Sequence, residues 1–200
     1  YNKIISVRKI SSIAIIGGEP LLNPDLIKIV KFLKQEGLSV ELFSNGLLLD
    51  EDKVKELAIA GVDLVFLHID IGQKRKDLPQ DYTIADVDNL RTQKAKMLYD
   101  YGIEVAMSIT VKKDDFGENL DNYLNYFKQS KFINYFLITL YRDIASYGEL
   151  NGILNQDVKG EEKKSINTDE PPMHEIMEYL NKQNLEPYTN LTGHYNKEIG

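Results

Sequence analysis

One tetrapeptide, Gly17-Gly18-Glu19-Pro20, combines residue types that can bind a positively charged ligand. It directly follows the apolar run Ile13–Ile16, which predicts a strand. Pro20 has no N–H group and disfavours helical backbone angles at Glu19, so the chain cannot fold straight into the next helix. The carbonyl groups of both glycines can then face a cleft beside the Glu19 carboxylate. This group of acceptors suits an ammonium group, and we expect the principal ligand site here.

Polar residues also follow the other predicted strands. They are Ser44-Asn45, His68 with Asp70, Ser108 with Thr110, and Tyr141-Arg142. In folds built from parallel strands, ligands bind at the carboxyl ends of the strands. His68 and Asp70 stand two residues apart and therefore point to the same side of their strand. The sequence thus predicts one edge to which each strand contributes a polar group.

Each of these residues also has a purely structural interpretation. Glu19 could cap a nearby helix, and Asn45-Gly46 is a common turn pair. His68 could be a core histidine with a satisfied ring, and Asp70 could cap the following loop. Ser and Thr are ordinary strand residues. The basic run Lys74-Arg75-Lys76 could meet a phosphate, but such a run is typical of a solvated surface.

The elements that must position these residues alternate between strand and helix. Continuous apolar runs predict five strands, at Ile13–Ile16, Ser39–Ser44, Leu64–Asp70, Ile103–Val111 and Tyr135–Tyr141. Helical spacing of apolar residues follows the strands. The first helix opens with Asn23 as N-cap and Pro24 at the first helical position, and the second runs from Asp50 as N-cap to Gly61. No antiparallel hairpin signal appears. The pattern favours an α/β fold, either a partial (β/α) barrel or an open doubly wound sheet.

The character of the chain changes twice towards its C-terminus. Residues 1–142 form the predicted α/β core, and residues 143–170 are rich in Gly, Asn and charged residues. This composition predicts a solvated, mobile loop. Pro171-Pro172 opens a final helix, and the segment 171–200 consists of that helix and a tail.

Composition limits the classes of function. The chain has 200 residues, of which 42% are hydrophobic and 28% charged, which is typical of a soluble globular domain. The net charge of −7 disfavours a nucleic-acid-binding surface. No apolar stretch is long enough for a membrane span, and no signal-peptide pattern appears, so we expect a cytoplasmic protein. The chain contains no cysteine, which excludes disulfides, zinc thiolate sites and a Cys-ligated iron–sulfur cluster formed from these residues. His174 and His194 lack ligand spacing, and no metal site is predicted.

The motifs together resemble the radical S-adenosylmethionine (SAM) superfamily. They are the Gly17-Gly18-Glu19-Pro20 segment after a strand, the helix opening Asn23-Pro24-Asp25-Leu26 and the strand ending Ser44-Asn45-Gly46. The resemblance covers roughly residues 13–142 and implies a partial (β/α)₆ TIM-like barrel of parallel strands with outer helices.

The resemblance also implies a small-molecule cofactor and the residues that bind it. In the family, the Gly-Gly-Glu segment holds the methionyl amino group of SAM, so Gly17, Gly18, Glu19 and Pro20 are expected to contact the cofactor. By position, further residues are expected to line its carboxylate, its ribose or the substrate cavity: Ser44, Asn45, His68, Asp70 and Ser108. Arg142, after the sixth strand of the family, is a further candidate.

The sequence departs from the family in one respect. The family's Cys-x-x-x-Cys-x-x-Cys loop holds a [4Fe–4S] cluster that reduces SAM and releases a 5′-deoxyadenosyl radical, and no cysteine occurs here. We therefore expect a fragment whose first βα unit and cluster loop lie before Tyr1, inactive alone, from an enzyme that abstracts a hydrogen atom from an unknown substrate. The alternatives are a non-catalytic binding or partner module and an unrelated α/β enzyme. The retained Gly17, Gly18 and Glu19 favour the fragment, because a module without the cofactor would not require them.

Overall fold

The computed structural model describes residues 10–112, 117–140, 173–183 and 185 of the chain. The strands are β1 (Ser12–Ile15), β2 (Ser39–Ser44), β3 (Leu64–His68), β4 (Glu104–Val111) and β5 (Tyr135–Leu140). The helices are α1 (Leu26–Gln35), α2 (Glu51–Ala60), α3 (Ile84–Asp100), α4 (Glu118–Gln129) and α5 (Met173–Lys182), with a 3₁₀ turn at Pro20–Leu22.

The five strands form one parallel sheet in the order β1-β2-β3-β4-β5. At the β4–β5 border, the Asn134 amide donates to the Val105 carbonyl (2.9 Å) and the Thr139 hydroxyl to the Ile109 carbonyl (2.8 Å). Both strands therefore run in the same direction. Because every connection steps the same way along the sheet, right-handed crossovers place α1 to α4 on one face. A doubly wound sheet would reverse its strand order, so the alternative with barrel-type winding is confirmed.

The core lies between the helices and the sheet face that they cover. Strand residues on this face are almost completely buried: Val40, Leu42, Val65, Leu67, Val105 and Met107. Facing helix residues are equally buried: Val30, Val54, Leu57, Val87, Leu98, Leu120 and Leu124. On the opposite face, the rings of Phe43 and Phe66 stack with centroids 4.2 Å apart, and His68 follows Phe66 on the same face. The sheet therefore separates a continuous apolar core from the face that carries His68.

Several predicted boundaries differ from the observed ones: β1 spans Ser12–Ile15 rather than Ile13–Ile16, and β4 begins at Glu104 rather than Ile103. The third strand was expected to reach Asp70 but ends at His68, because the Asp70 carboxylate accepts the Thr110 amide (3.0 Å) in place of a backbone group. The first helix begins at Leu26 rather than Pro24. The N-cap is Asp25, which makes no side-chain capping hydrogen bond, so the prediction of Asn23 as N-cap is wrong; the Asn23 side chain instead accepts the Asp25 amide (2.9 Å) in a turn before the helix.

Local capping signals define the second helix. The Asp50 carboxylate accepts the Lys53 amide (2.7 Å) at the start of α2, and the helix ends at Gly61, as the sequence predicts.

The start of α3 has a capping signal that the sequence interpretation missed. Thr83 and Asp86 form a reciprocal capping box there.

The chain divides into two compact units. Of the described residues, 10–111 and 117–139 belong to the first, which contains nearly all of the sheet, and 112, 140, 173–183 and 185 belong to the second. In the second unit, α5 carries Ile176 and Leu180 at helical spacing, and His174 is exposed, as expected of a surface residue. Tyr141-Arg142, the predicted loop 143–170 and His194 lie outside the described residues. None of the helices described is long and apolar enough to cross a membrane.

Candidate functional site

The segment after β1 has the open backbone that the sequence predicts. Gly17 (φ +118°) and Gly18 (φ +38°) both adopt angles that residues with side chains rarely take. Both are exposed, and a Cβ atom at either position would meet no other atom within 4 Å. Glu19 is extended (φ −129°, ψ 106°), as Pro20 requires. The two peptide groups before Glu19 therefore border open space.

The Glu19 carboxylate connects the ends of β1 and β2. Its Oε1 atom accepts the Leu21 amide (3.1 Å) and the Ser44 hydroxyl (3.0 Å), and its Oε2 atom accepts the Asn45 amide (2.9 Å). The capping interpretation is thus confirmed, because the Leu21 contact caps the 3₁₀ turn that begins at Pro20. A carboxylate accepts about four hydrogen bonds. Among the described residues, two donors contact Oε1 and one contacts Oε2, which leaves Oε2 able to accept a further N–H from a ligand.

The turn after β2 places the Asn45 main-chain amide within hydrogen-bond distance of the Glu19 carboxylate. The Ser44 side chain is buried at 3% exposure, and its hydroxyl also accepts the Gly46 amide (3.0 Å). The Asn45 side chain accepts the Leu47 amide (2.8 Å), so the turn interpretation of Asn45-Gly46 is confirmed as well. The buried Ser44 hydroxyl therefore orients the Glu19 carboxylate through Oε1, and the Asn45 main-chain amide contacts Oε2.

His68 and Asp70 form a second group of contacts at the same edge of the sheet. The predicted common orientation is confirmed, because His68 Nε2 lies 3.4 Å from Asp70 Oδ2. Asp70 is 8% exposed, and the same oxygen accepts the Thr110 amide (3.0 Å). The His68 side chain is 34% exposed, and its register partner Ser108 is buried. His68 is thus the more accessible member of this group.

Arg75 connects the two groups, which the sequence interpretation of the run Lys74-Arg75-Lys76 missed. Lys74 and Lys76 are exposed, but the Arg75 side chain is only 5% exposed. Its Nη1 atom donates to the Asn45 carbonyl (2.9 Å), and its Nε and Nη2 atoms donate to the Asp77 carboxylate (2.9 and 2.8 Å). Arg75 therefore fastens the loop after Asp70 to the turn after β2. Asp77, the acidic residue two positions after Arg75, was the one feature of the sequence that indicated a partner for this arginine.

Two helix residues also reach this edge and were not predicted. Arg91 on α3 donates to the Ile69 carbonyl, and the Tyr123 hydroxyl on α4 accepts the Ile71 amide. Neither position differs from its helical neighbours by any local sequence signal.

A separate cavity lies at the opposite edge of the sheet, at the amino ends of the strands. Its volume is about 810 Å³, and its walls include Lys34, Asp63, Glu104 and Tyr135. The amide of Val40 and the ammonium group of Lys34 both donate to Asp63 there. The sequence-predicted residues do not border this cavity. In parallel α/β folds ligands bind at the carboxyl edge, so the candidate site is the edge that carries Glu19 and His68.

Comparisons of the chain with a family model, with curated proteins and with solved structures agree on one family. The model of the radical SAM superfamily matches residues 2–127. The chain is 32% identical over 93 residues to the tungsten-containing aldehyde ferredoxin oxidoreductase cofactor-modifying protein of Pyrococcus furiosus, covering 44% of this chain and 24% of that protein. It is 34% identical over 106 residues to a probable GTP 3′,8-cyclase of Saccharolobus solfataricus, covering 52% of this chain and 33% of that protein. The chain thus spans about a quarter to a third of these curated relatives.

A solved structure shows the same fold. Native anSMEcpe with bound AdoMet and Cp18Cys peptide superposes with a TM-score of 0.51 at 20% identity, covering 70% of this chain and 41% of that one. The parallel sheet with barrel-type winding, the family-model match over more than half of the chain and this likeness of fold agree. The chain belongs to the radical SAM superfamily.

Proposed function

We propose that these residues are the SAM-holding part of a radical SAM enzyme, and that the cysteine ligands of its cluster come from residues outside these 200. The observation that carries the proposal is the Glu19 carboxylate, oriented by three donors beside the open Gly17-Gly18 backbone. SAM and a [4Fe–4S] cluster are the cofactors of the superfamily, and this chain contains no cysteine.

The donor and acceptor chemistry of this edge fits the methionyl end of SAM. An ammonium group offers three N–H donors, and Glu19 Oε2 and the glycine carbonyl groups are acceptors. Hydrogen bonds between an ammonium group and a carboxylate are among the stronger ones in proteins. Because Ser44 is buried and bound to Glu19, it acts on the cofactor through Glu19 rather than by contact.

The second group of contacts is assigned to the rest of the ligand. His68 and Asp70 offer a ring N–H and a carboxylate at the carboxyl end of β3, and Ser108 lies opposite His68 on β4. In the proposal these side chains meet the carboxylate or ribose of SAM or border the substrate cavity. They bind and orient the ligand, and the sheet and its loops exclude water.

When bound, SAM and the cluster would supply the radical chemistry by which the enzyme abstracts a hydrogen atom from its substrate, and Glu19 with the Gly17-Gly18 backbone would hold SAM. The names of the two relatives refer to different substrates, GTP and a cofactor of aldehyde ferredoxin oxidoreductase, and the structural neighbour is bound to a peptide. Since these substrates share no chemical class, the proposal ends at the class of reaction. A non-catalytic module is less favoured because it would not require Glu19 in this arrangement.

Calorimetric titration of the chain with SAM tests the proposal through Glu19→Gln. This change removes the negative charge and keeps the size of the side chain. A hydrogen bond to a charged group contributes about 1.5–3 kcal/mol, so the Kd for SAM should rise about tenfold or more. Glu36→Gln, at an exposed position after α1, is the matched control and should leave the Kd unchanged. Equal affinity of the folded Glu19→Gln variant and the control would contradict the proposal.

A further inference from the structure

We propose that Arg91 and Tyr123 are positioning residues that hold Asp70, and through it His68, in the orientation that the cofactor site requires. The inference rests on the proposed function, because it concerns the same edge of the sheet. It extends the site into two helices, α3 and α4, whose residues do not contact the ligand themselves.

The backbone on both sides of Asp70 lies beyond the sheet. The last residue pair between β3 and β4 is His68 with Ser108, so the peptide groups that follow need other partners. The Ile69 carbonyl accepts from Arg91 Nε (2.8 Å) and Nη2 (2.5 Å). The Ile71 amide donates to the Tyr123 hydroxyl (2.9 Å). Each peptide group flanking Asp70 is therefore held by a side chain from a different helix.

Hydrogen bonds, an ion pair and two aromatic rings offset the cost of burying the Arg91 guanidinium group. The residue is 1% exposed, and a buried charge is costly unless it is paired and hydrogen-bonded. Arg91 Nη1 donates to Asp88 (2.7 Å), and the group lies over the rings of Tyr123 (4.9 Å) and Tyr126 (5.5 Å). Apolar residues of similar volume often fill such a position with equal or greater stability. An arginine here is therefore best explained by the carbonyl that it holds.

The consequence is a carboxylate whose direction is set before any ligand arrives. With the main chain held on both sides, the Asp70 side chain reaches the Thr110 amide on β4 (3.0 Å) and lies 3.4 Å from the His68 ring. Thr110 is two residues past the last β3–β4 pair. The contact thus also joins the two strand ends that border the site. Preorganisation of this kind raises affinity because less is ordered on binding.

The chain offers a matched pair of variants. Tyr123→Phe removes the hydroxyl that accepts the Ile71 amide and keeps the ring over Arg91. Tyr126→Phe removes the hydroxyl of the other ring over Arg91, which contacts the Thr92 side chain (3.1 Å) rather than the backbone beside Asp70. Arg91→Lys, which keeps the charge but cannot donate twice to one carbonyl, is a second variant.

Two measurements on the intact chain separate positioning from general stability. Amide hydrogen exchange of Thr110 reports the Asp70 contact without any ligand, and calorimetry gives the Kd for SAM. In Tyr123→Phe the Thr110 amide should exchange faster, and the Kd should rise about fivefold, the change that corresponds to one lost hydrogen bond of about 1 kcal/mol. Arg91→Lys should change both quantities in the same direction, and Tyr126→Phe should change neither.

Equal exchange and equal Kd for Tyr123→Phe and Tyr126→Phe would overturn the inference, as would equal losses in both. Failure of the proposed function is distinguishable, because then the unaltered chain does not bind SAM while the Thr110 exchange still differs between the two variants. Should Tyr123→Phe not fold, the Thr110 exchange and Kd of Arg91→Lys decide in the same way.

Discussion

At the residue scale, the position of Glu19 depends on the turn that follows β2. The Asn45 amide and the Ser44 hydroxyl both donate to its carboxylate, and the Ser44 oxygen in turn accepts the Gly46 amide. Gly46 has a φ of +72°, and a Cβ atom there would lie 2.7 Å from Leu67 Cδ1 in the core. The residue after Asn45 is therefore restricted both by its backbone and by the space around it.

Replacement of Gly46 by Ala should lower the free energy of unfolding more than replacement of Gly37 by Ala. Gly37 also has a positive φ (+77°), but a Cβ atom there would meet no atom within 4 Å. Both variants bear the left-handed backbone cost of about 1–2 kcal/mol. Only Gly46→Ala adds a clash with a buried side chain, which costs typically 1–3 kcal/mol. Urea denaturation measures the difference, and equal losses would show that Leu67 moves aside freely.

At the scale of the elements, Asp63 connects the first helix to the sheet. It precedes β3, and its carboxylate accepts the Lys34 ammonium group of α1 (2.8 and 2.7 Å) and the Val40 amide of β2 (2.7 Å). Burial alone would raise the pKa of Asp63, but the hydrogen bonds from Lys34 and Val40 outweigh it and lower this pKa below its usual 3.8. The ionised form is thus the one that the fold stabilises.

The effect of Asp63→Asn on the melting temperature should depend on pH. Because the pKa of Asp63 is lowered in the folded state, its contribution to stability is fully present above the unfolded value of 3.8 and is lost as the pH falls through the lower folded value. Asp63→Asn should therefore lower Tm at pH 7, and the difference from the unaltered chain should shrink below about pH 4. The control is Asp100→Asn, which removes a surface pair with Lys96 and should change Tm little at either pH. A pH-independent difference for Asp63→Asn would contradict the expectation.

The elements that could be predicted from the sequence are those with local signals. β2 was predicted with its observed bounds, and α2 was predicted from Asp50 and Gly61, because caps and turns act over a few residues. The contacts that could not be predicted join residues far apart in the chain. Arg91 and Ile69 are 22 residues apart, and Tyr123 and Ile71 are 52 apart.

Within the site, the types of residue could be predicted from the sequence, but the contacts that each of them makes could not. The alternatives for Glu19 were a cap and a ligand contact, and the structure shows that one carboxylate can cap a turn and retain acceptor capacity. Arg75 was grouped with its exposed lysine neighbours, although its side chain is nearly buried. Burial of a charged side chain depends on distant partners, and composition within a loop does not report them.

At the scale of the whole molecule, barrel-type winding brings the ends of the parallel strands to one edge. The consecutive strand order makes this edge a continuous row in which Glu19, Asn45, His68 and Asp70 follow one another. The cavity of about 810 Å³ at the opposite edge is a competing location for a ligand. We propose that SAM binds at the carboxyl edge.

Titration of the ¹⁵N-labelled chain with SAM, followed by amide chemical shifts, distinguishes binding at the carboxyl edge from binding at the amino edge. We expect saturable shifts of the Gly17, Gly18 and Asn45 amides, because these groups surround Glu19, and no shift of the Asp63 and Glu104 amides at the opposite edge. Shifts confined to the amides of the amino-edge cavity, or no saturable shift at any amide, would contradict the account.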